Sequence, residues 1–422
     1  MPKRPSAICS PLAMARPGVN IPPKLAAKLT LAALGALLAG CGTHSVIATD
    51  GPVSSDAGDA VQGDAPGPDV DAAPADRPGA DGPVDAGDVS SASPWQDLTP
   101  AVRPNAWPSA RSDHAMVCDS KRNKLLVMGG TDGTGAVLAD LWEWDIANGG
   151  WTNLTPSPLP PAWPPGRFVH AMAFDERRGV VVVFGGGGAG GNLSDTWEWD
   201  PAAGTWASRG SDPHPFGRYG MTLAYDPAGL VWLFSGAGDG GYSQEVWEWN
   251  GASGVWTDRT PSPLPATWPG PRTNHGAAFD TGRNRMIIFG GDDPSVSPLG
   301  DLWEWNPASR SFMAETPIPL PAAWPTARAY PGVAFAAPAA KLILFAGLSG
   351  PGVGITPDVW TFDPAGATWS NLTPSPVPTS WPSARVGHSV AYSAARNRLF
   401  VFGGQSFSGL MNELWTFDTS SL

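Results

Sequence analysis

Six arginines recur at regular intervals between residues 94 and 422, and each is followed within its unit by an acidic residue. The arginines are Arg111, Arg167, Arg218, Arg272, Arg328 and Arg385, and the acids are Asp140, Asp195, Glu245, Asp301, Asp358 and Glu413. A guanidinium group binds a carboxylate or another anion through two parallel hydrogen bonds. The arginines could therefore converge on an anionic ligand, or each could pair with its own acid. Repetition in every unit favours pairing, which would leave no anion site.

A tryptophan stands four residues before five of these arginines. These tryptophans are Trp107, Trp163, Trp268, Trp324 and Trp381, whereas "SDPHPF" before Arg218 contains none. Exposed aromatic rings could stack on sugars or on peptide proline, but large aromatics more often pack a loop against the domain. With the arginines they form our candidate binding face. The gap in the third unit predicts that one side of this face differs in shape, as a binding cleft would.

Histidine follows four of the arginines by three residues, at His114, His170, His275 and His388, while Met221 and Pro331 take the other two places. Metal ligands must lie within about 2.0–2.1 Å of one shared ion. Histidines in separate units do not converge in this way, so we expect a hydrogen-bonding role within each unit. The sequence predicts neither a metal site nor a cofactor.

The elements that carry these residues repeat with a period of 51 to 57 residues. After the arginine comes a strand of small and apolar residues, a polar turn, and a second apolar strand ending in a small pair such as Gly129-Gly130. A variable glycine-rich loop leads to a third strand, as in "DLWEWD", where two aromatics lie two residues apart and share a face. A fourth strand carries an aromatic such as Trp151.

Four strands per unit, a diglycine after the second and tryptophan in the fourth resemble the kelch repeat, six times over residues 94–422. The resemblance implies an all-β fold, a six-bladed kelch-like β-propeller whose four-stranded antiparallel blades surround a central channel. The sixth unit ends at "ELWTFDTSSL", after its third strand, whereas "SPWQDLTP" at residues 93–100 carries an isolated fourth-strand aromatic, Trp95. We therefore expect the N-terminal strand to close the last blade, which protects both edges.

Residues 1–41 have the features of a targeting segment, with a basic start, the apolar run "LTLAALGALLAG" and then Cys41. "LLAGC" resembles the lipobox of bacterial lipoprotein signal peptides, which implies cleavage before Cys41 and lipidation of its thiol. An ordinary secretory signal is the alternative, and either Met1 or Met14 could be the start. The expected location is the bacterial cell envelope, at the outer membrane, with the membrane as a partner through the lipid anchor.

Residues 42–93 contain ten aspartates, one arginine and no aromatic residue, a composition typical of a disordered, charge-extended tether. The whole chain has a net charge of −12, and no basic stripe accompanies its aromatics, which excludes nucleic acid as the expected partner.

The predicted function is therefore a non-enzymatic binding or scaffold module for an envelope protein or glycan. The alternative is a carbohydrate-active propeller enzyme, above all a sugar isomerase, because the chain also resembles a six-bladed sialic-acid mutarotase. That chemistry would need an acid–base pair at the channel mouth, and none stands out from the repeated acids. The five tyrosines look scattered, which disfavours copper chemistry like that of galactose oxidase.

Overall fold

The computed structural model of the protein describes residues 93–210, 212–350 and 354–422, which fold as antiparallel β-sheet. The predicted signal segment with Cys41 lies outside the described residues, as does the predicted tether apart from Ser93. No helix in the described ranges combines the length and the hydropathy needed to cross a membrane.

The strands follow one another along the chain as the repeats predict. Units one and two contain β1 (Trp95–Asp97), β2 (Arg111–Ser112), β3 (Ala115–Asp119), β4 (Lys124–Met128), β5 (Thr131–Asp132), β6 (Leu141–Asp145), β7 (Trp151–Asn153), β8 (Ala171–Asp175), β9 (Val180–Phe184), β10 (Gly187–Gly188), β11 (Gly191–Asn192), β12 (Thr196–Asp200) and β13 (Thr205–Arg209). Units three and four contain β14 (Arg218–Tyr219), β15 (Thr222–Asp226), β16 (Leu230–Phe234), β17 (Ala237–Gly238), β18 (Gly241–Tyr242), β19 (Val246–Asn250), β20 (Val255–Asp258), β21 (Gly276–Asp280), β22 (Arg285–Phe289), β23 (Leu302–Asn306) and β24 (Ser311–Ala314). Units five and six contain β25 (Arg328–Ala329), β26 (Gly332–Ala336), a 3-10 helix (Ala337–Ala339), β27 (Lys341–Phe345), β28 (Leu348–Ser349), β29 (Val359–Asp363), β30 (Thr368–Asn371), β31 (Ser389–Ser393), β32 (Arg398–Phe402), β33 (Gln405–Ser406), β34 (Gly409–Leu410) and β35 (Leu414–Asp418).

The longer strands of the described residues form six four-stranded antiparallel sheets, numbered 1 to 6 in chain order. Their strand orders are β3-β4-β6-β7, β8-β9-β12-β13, β15-β16-β19-β20, β21-β22-β23-β24, β26-β27-β29-β30 and β31-β32-β35-β1. The second strand of each sheet is apolar and almost wholly buried, because it has neighbours on both edges and on both faces. The predicted all-β, kelch-like propeller class is confirmed.

The sheets contact their neighbours in ring order through their innermost strands. β3 contacts β8, β8 contacts β15, and the contacts continue through β21 and β26 to β31, which contacts β3. Six apolar clusters lie between neighbouring sheets, one at each junction, and each is built around fourth-strand and third-strand aromatics. Aromatic burial between sheets therefore supplies a large part of the core.

The N-terminal strand β1 is the outer strand of sheet 6. Trp95 pairs with Phe417 of β35, and its ring centroid lies 5.0 Å from those of Phe345 and Phe417. The backbone of Leu98 extends the contact by donating to the carbonyl of Leu414 at 2.8 Å. The two ends of the repeat array thus lie in one sheet.

Candidate functional site

Each repeat arginine is buried and bound to the acid of its own sheet. The Nη1 and Nη2 atoms of Arg111 lie 2.7 Å from the two carboxylate oxygens of Asp140, and Nη1 also donates to the carbonyl of Gly129. The other pairs are Arg167–Asp195, Arg218–Glu245, Arg272–Asp301, Arg328–Asp358 and Arg385–Glu413. Exposure of the six arginines is 0–1%. Burial alone would raise the pKa of Asp301, but hydrogen bonds and charge from Arg272 hold it below its ordinary value.

Of the two alternatives, each arginine therefore pairs with its own acid. Each guanidinium also donates to the carbonyl of the first small residue after the second strand, at Gly129, Gly185, Ser235, Gly290, Ala346 and Gly403. The arginines therefore join the segment before the innermost strand to the second and third strands. Their positive charges are neutralised by the acids within the sheets. The structure does not bring the six arginines together around an anion.

The five loop tryptophans pack the long connections between sheets, and their exposure is 6–9%. Each indole nitrogen donates to the backbone carbonyl just before a repeat acid, at distances of 2.7–2.8 Å for Trp107, Trp163, Trp268, Trp324 and Trp381. Each ring also meets the fourth-strand aromatic of the following sheet, edge to face. The rings therefore act as wedges between sheets, with little surface left for stacking on a ligand.

The third unit has His214 at the place of the loop tryptophan, four residues before Arg218. Beside this gap, the aromatics Trp249 and Trp256 are only 0% and 1% exposed. Trp256 is held there by a hydrogen bond from its indole nitrogen to the Thr196 hydroxyl at 2.9 Å. The junction is thus closed by a different set of contacts.

The four repeat histidines lie between neighbouring sheets. Three of their rings stack edge to face on the aromatics that end second strands, at 5.3 Å for His114–Phe402, His275–Phe234 and His388–Phe345. Burial, with the nearby repeat arginine, lowers the pKa of His275 and His388 to about 3. Within the described ranges, no group of three or more His, Cys, Asp or Glu residues could hold a metal ion.

A ring of six residues links the sheets where their innermost strands begin, two positions after each repeat arginine. We call it the mouth ring; its members are Asp113, Val169, Gly220, Asn274, Tyr330 and Gly387. All six have left-handed backbones, with φ between 50° and 66°. Five of the six members donate their backbone amide to the carbonyl of the member before them, over 2.7–3.0 Å: Asp113 to Gly387, Val169 to Asp113, Gly220 to Val169, Asn274 to Gly220 and Tyr330 to Asn274.

The two glycines of the mouth ring make room for polar neighbours. A Cβ at Gly387 would lie 2.7 Å from Oδ1 of Asp113, and one at Gly220 would lie 2.8 Å from Oδ1 of Asn274. Both distances are shorter than normal van der Waals contact, so a larger residue at either place would displace the neighbouring polar side chain. The side chains of Asp113 and Asn274 consequently lie over the neighbouring sheet's glycine.

Three of the five tyrosines lie near one another, which corrects the expectation that the tyrosines are scattered: Tyr330 is a member of the mouth ring, and Tyr219 and Tyr242 are its neighbours. Tyr219 and Tyr242 belong to one small sheet, in which β17 pairs with both β14 and β18. Burial, followed by the charges of Asp113 and Asp292, raises the pKa of Tyr330 well above its ordinary range. Sequence reasoning missed this cluster because it looked for repeated residues. The available signal was the position two residues after each repeat arginine, where the residue differs from unit to unit although the surrounding pattern recurs.

Two further carboxyl groups do not belong to the repeated acids: Asp113 is a member of the mouth ring, and Asp292 is hydrogen-bonded to the ring member Asn274. Burial raises the pKa of Asp113 and of Asp292 to about 6, and hydrogen bonds from Ser112 and Asn274, respectively, oppose the change. Asp292 is 6% exposed, and its Oδ2 accepts from Nδ2 of Asn274 at 3.2 Å. No cation contributes to the pKa of either group among the described residues. These are the acids that stand out from the repeat, and the sequence analysis did not find them.

Comparisons with known proteins agree with the repeat pattern. The model of the KLHDC2/KLHL20/DRC7 Kelch-repeats domain matches residues 91–262. Mei4-dependent protein 6 of Schizosaccharomyces pombe is 32% identical over 101 residues, which are 22% of this chain and 13% of that protein. The Leucine-zipper-like transcriptional regulator 1 homolog of Drosophila melanogaster is 34% identical over 158 residues, 36% of this chain and 15% of the relative.

This chain thus spans less than a sixth of either relative, and the likeness concerns repeats rather than whole proteins. Diglycines with positive φ end the second strands of sheets 1, 2, 4 and 6, and four-stranded antiparallel sheets recur through the described residues. Together with the matched model, these features identify the chain as a protein with a kelch-repeat domain.

Proposed function

We propose that this protein is a lipoprotein of the bacterial cell envelope whose kelch-repeat domain is a non-enzymatic scaffold for binding another envelope protein. Cys41 is the proposed lipidation site and residues 42–93 the proposed tether, on the sequence pattern described above. A kelch-repeat domain supports a role in protein interaction, and loops on a rigid framework commonly carry binding residues.

The observation that carries the proposal is that the repeated residues are satisfied inside the domain. The arginines are bound to acids and the loop tryptophans to backbone carbonyls, so neither set is available to a partner. What remains at the mouth-ring end is a set of loops that differ from unit to unit. These loops expose single apolar side chains, such as Val296 at 70% and Phe407 at 64%.

The same geometry favours a protein over the other candidates. A sugar ring cannot stack on tryptophans that are buried, and an isomerase acting on a carboxylated sugar would need a cation that the paired repeat arginines do not provide. The cation-free carboxyls of Asp113 and Asp292 would repel such a substrate. We therefore place the contact surface on the variable loops around the mouth ring.

Site-specific photo-crosslinking of the full chain in cells tests this placement. A benzophenone amino acid would replace Val296 or Phe407 at the mouth-ring end, and Ala202 or Ala252 in exposed turns at the opposite end of the third strands. We expect discrete partner bands from the first two positions, and their loss on addition of excess unlabelled domain. Equal labelling from both ends would contradict the proposal.

The anchor is tested separately. Metabolic labelling with a radioactive fatty acid should mark the wild-type chain and not Cys41→Ser, which should also leave the membrane fraction. A Cys118→Ser variant is the matched control, because that thiol lies in strand β3 and should not be acylated. Lipid label retained in Cys41→Ser would refute the anchor without affecting the crosslinking result.

A further inference from the structure

We propose that the end of the domain opposite the mouth ring rests on the anionic phospholipid headgroups of the membrane to which the chain is anchored. We call it the turn end, because it consists of the short turns between first and second strands and between third and fourth strands. This inference rests on the proposed function and adds the orientation of the domain at the membrane. It depends on unpaired cations, on the charge of the two ends and on the place where the chain enters the domain.

A set of cationic side chains surrounds the axis of the domain at the turn end. The turns between first and second strands join the innermost strands, which contact one another in ring order. Arginines bound to acids stand in or directly after four of these turns, at Arg122, Arg178, Arg283 and Arg398. Five of the six turns also have a cation with no ion pair to an acid of the described residues: Lys121, Arg177, Arg285, Lys341 and Arg396. Three of these five side chains are exposed and two are half-buried, so their charges face solvent.

The cations of the first three units lie next to one another. Nζ of Lys121 donates to the backbone carbonyl of Arg177 at 3.2 Å, and it would lie 3.3 Å from a Cβ at Gly179 in the second unit's turn. Arg177 lies over the third unit's turn, where a Cβ at Gly229 would be 3.2 Å from its Cδ and 3.3 Å from its Nη1. The third unit has no lysine or arginine in this turn, and the second unit's arginine covers it.

Few exposed acids oppose these cations near the axis. The acids that begin four of the turns are 1–2% exposed: Asp119, Asp175, Asp226 and Asp280. Glu176 is the one exposed acid within the described turns between first and second strands. Asp200 and Asp363 have no cation, but they end third strands, further from the axis, and accept amides of the turns that follow. The centre of the turn end is therefore positive.

The mouth-ring end has the opposite charge. The six loops between second and third strands contain no lysine or arginine, and besides the repeat acids they carry Asp132, Asp239, Asp292 and Asp293. Acidic lipids attract lysine and arginine side chains that come within a Debye length of the membrane surface, about 8–10 Å at moderate salt. An anionic surface thus attracts the turn end and repels the mouth-ring end.

The chain also enters the domain at the turn end. The Pro94 carbonyl accepts a hydrogen bond at 2.8 Å from the amide of Asp418, the last residue of the third strand β35, and Trp95 pairs with Phe417. The residues that precede this point, including the proposed lipidation site Cys41, are thus connected to the domain at the positive end. An anchored membrane is held at a high effective concentration beside the domain, which favours lipid headgroups over a soluble polyanion as the occupant.

The shape of the turn end suits a flat surface. Its turns contain three to five residues each, whereas connections at the mouth-ring end are long, as between β1 and β2 at residues 98–110. Among the described residues, the large apolar side chain exposed at the turn end is Val255, at 37%. The contact is therefore electrostatic, without insertion into the bilayer, and it leaves the variable loops around the mouth ring facing away from the membrane.

Energy transfer from the domain to a labelled bilayer tests this orientation. The proposed mature chain, residues 41–422 with Cys118→Ser, would be coupled through the Cys41 thiol to a maleimide lipid, so attachment does not depend on acylation in cells. A donor dye on an encoded azide side chain would replace Ala202 at the turn end or Phe407 at the mouth-ring end, and the acceptor would be a bilayer lipid. The vesicles would be phosphatidylcholine alone or with about one quarter phosphatidylglycerol.

We expect transfer from position 202 to exceed transfer from position 407 at least about twofold in the phosphatidylglycerol vesicles at low salt, because several cations then lie within a Debye length of the headgroups. In 1 M salt, where the Debye length is about 3 Å, the ratio should fall to its value on phosphatidylcholine.

Two triple variants show whether the named cations cause the difference. Lys121→Gln/Arg177→Gln/Arg396→Gln should reduce the ratio to its value on phosphatidylcholine. The matched control, Lys121→Arg/Arg177→Lys/Arg396→Lys, keeps three charges at the same positions and should retain the wild-type ratio. Thermal melts verify that both variants are folded.

Three results would overturn the inference. Equal transfer from the two positions on phosphatidylglycerol vesicles would show that the domain has no preferred orientation. A ratio unchanged on phosphatidylcholine or in 1 M salt would assign the orientation to the entry point of the chain and not to charge. A wild-type ratio in the glutamine variant would show that these cations do not make the contact. Because the coupling is chemical, none of these results bears on acylation of Cys41 or on crosslinks from the mouth-ring end, which their own experiments decide.

Discussion

Arg272 and Asp301 lie side by side, with Nη1 2.7 Å from Oδ1 and Nη2 2.8 Å from Oδ2, and the arginine is almost wholly buried. The pair joins the segment that enters sheet 4 to the first residue before its third strand. The indole nitrogen of Trp303 donates to the same carboxylate at 2.6 Å. This small network recurs in every sheet, so it is a condition of assembly rather than a ligand site.

Asp301→Asn should therefore destabilise the domain strongly. The substitution retains the shape of the side chain but leaves the buried Arg272 charge without its counterion, which costs about 3–5 kcal/mol. Urea unfolding followed by tryptophan fluorescence would measure the change. Asp293→Asn, at a partly exposed residue of the same loop, should alter stability by less than about 0.5 kcal/mol. Similar midpoints for the two variants would contradict a structural role for the pair.

The loop tryptophans provide a comparison within one chain. Trp268→Ala removes the ring that packs on Trp305 and Phe312 and the hydrogen bond to the Gln244 carbonyl, so we expect a loss of about 3–5 kcal/mol. His214→Ala at the corresponding place of the third unit should have little effect, because that side chain is more than a third exposed. Thermal unfolding of both variants measures the difference, and equal losses would argue against the wedge role.

The sequence predicted the frame of the domain because every element of that frame recurs. Strand order, the small pair after the second strand and the arginine–acid pairing all follow from a pattern repeated in each unit, and the structure places Asp140 and Arg111 as that pattern requires. Because the same pattern recurs in six units, a wrong prediction for one unit can be recognised by comparison with the others.

The candidate site could not be predicted in the same way. Asp113, Tyr330 and Asp292 do not recur from unit to unit, and nothing in their local sequence indicates that both carboxyls lie near enough to Tyr330 to raise its pKa. Their placement depends on the left-handed mouth ring and on glycines in neighbouring units, as where Gly387 leaves room for Asp113. The loop tryptophans had the opposite effect, because they were predicted as part of a binding face and are buried in the structure. The sequence alone does not distinguish an exposed loop aromatic from a buried one.

Deletion of residues 93–100 tests the role of β1. Without Trp95, the rings of Phe345 and Phe417 lose a neighbour at 5.0 Å, and β35 gains a free edge that exposes unpaired backbone groups. We expect the unfolding midpoint to fall by many degrees. Gln96→Ala, at an exposed position of the same strand, should leave it nearly unchanged. A deletion variant that melts with the wild type would show that the strand is dispensable.

The buried histidines should make the domain sensitive to acid. The pKa of His388 is lowered to about 3 by burial and by the charge of Arg385, with the Phe345 carbonyl opposing, whereas an unfolded histidine titrates near 6.5. As the pH falls below about 6.5, the unfolded chain takes up the proton first, so the stability due to each neutral histidine is present above that pH and is lost on acidification. His388→Met introduces the residue that the third unit carries at Met221. The free energy of unfolding of His388→Met should therefore fall less steeply than that of the wild type between pH 6 and 4.5. The two slopes should differ by about 1.4 kcal/mol per pH unit.

Urea titrations at several pH values give both slopes. Asp113 and Asp292 titrate in the same window with the opposite sign, because their raised pKa values favour the folded state at low pH, but they are common to both proteins and cancel in the difference. Parallel lines for His388→Met and the wild type would show that His388 does not stay neutral in the folded domain.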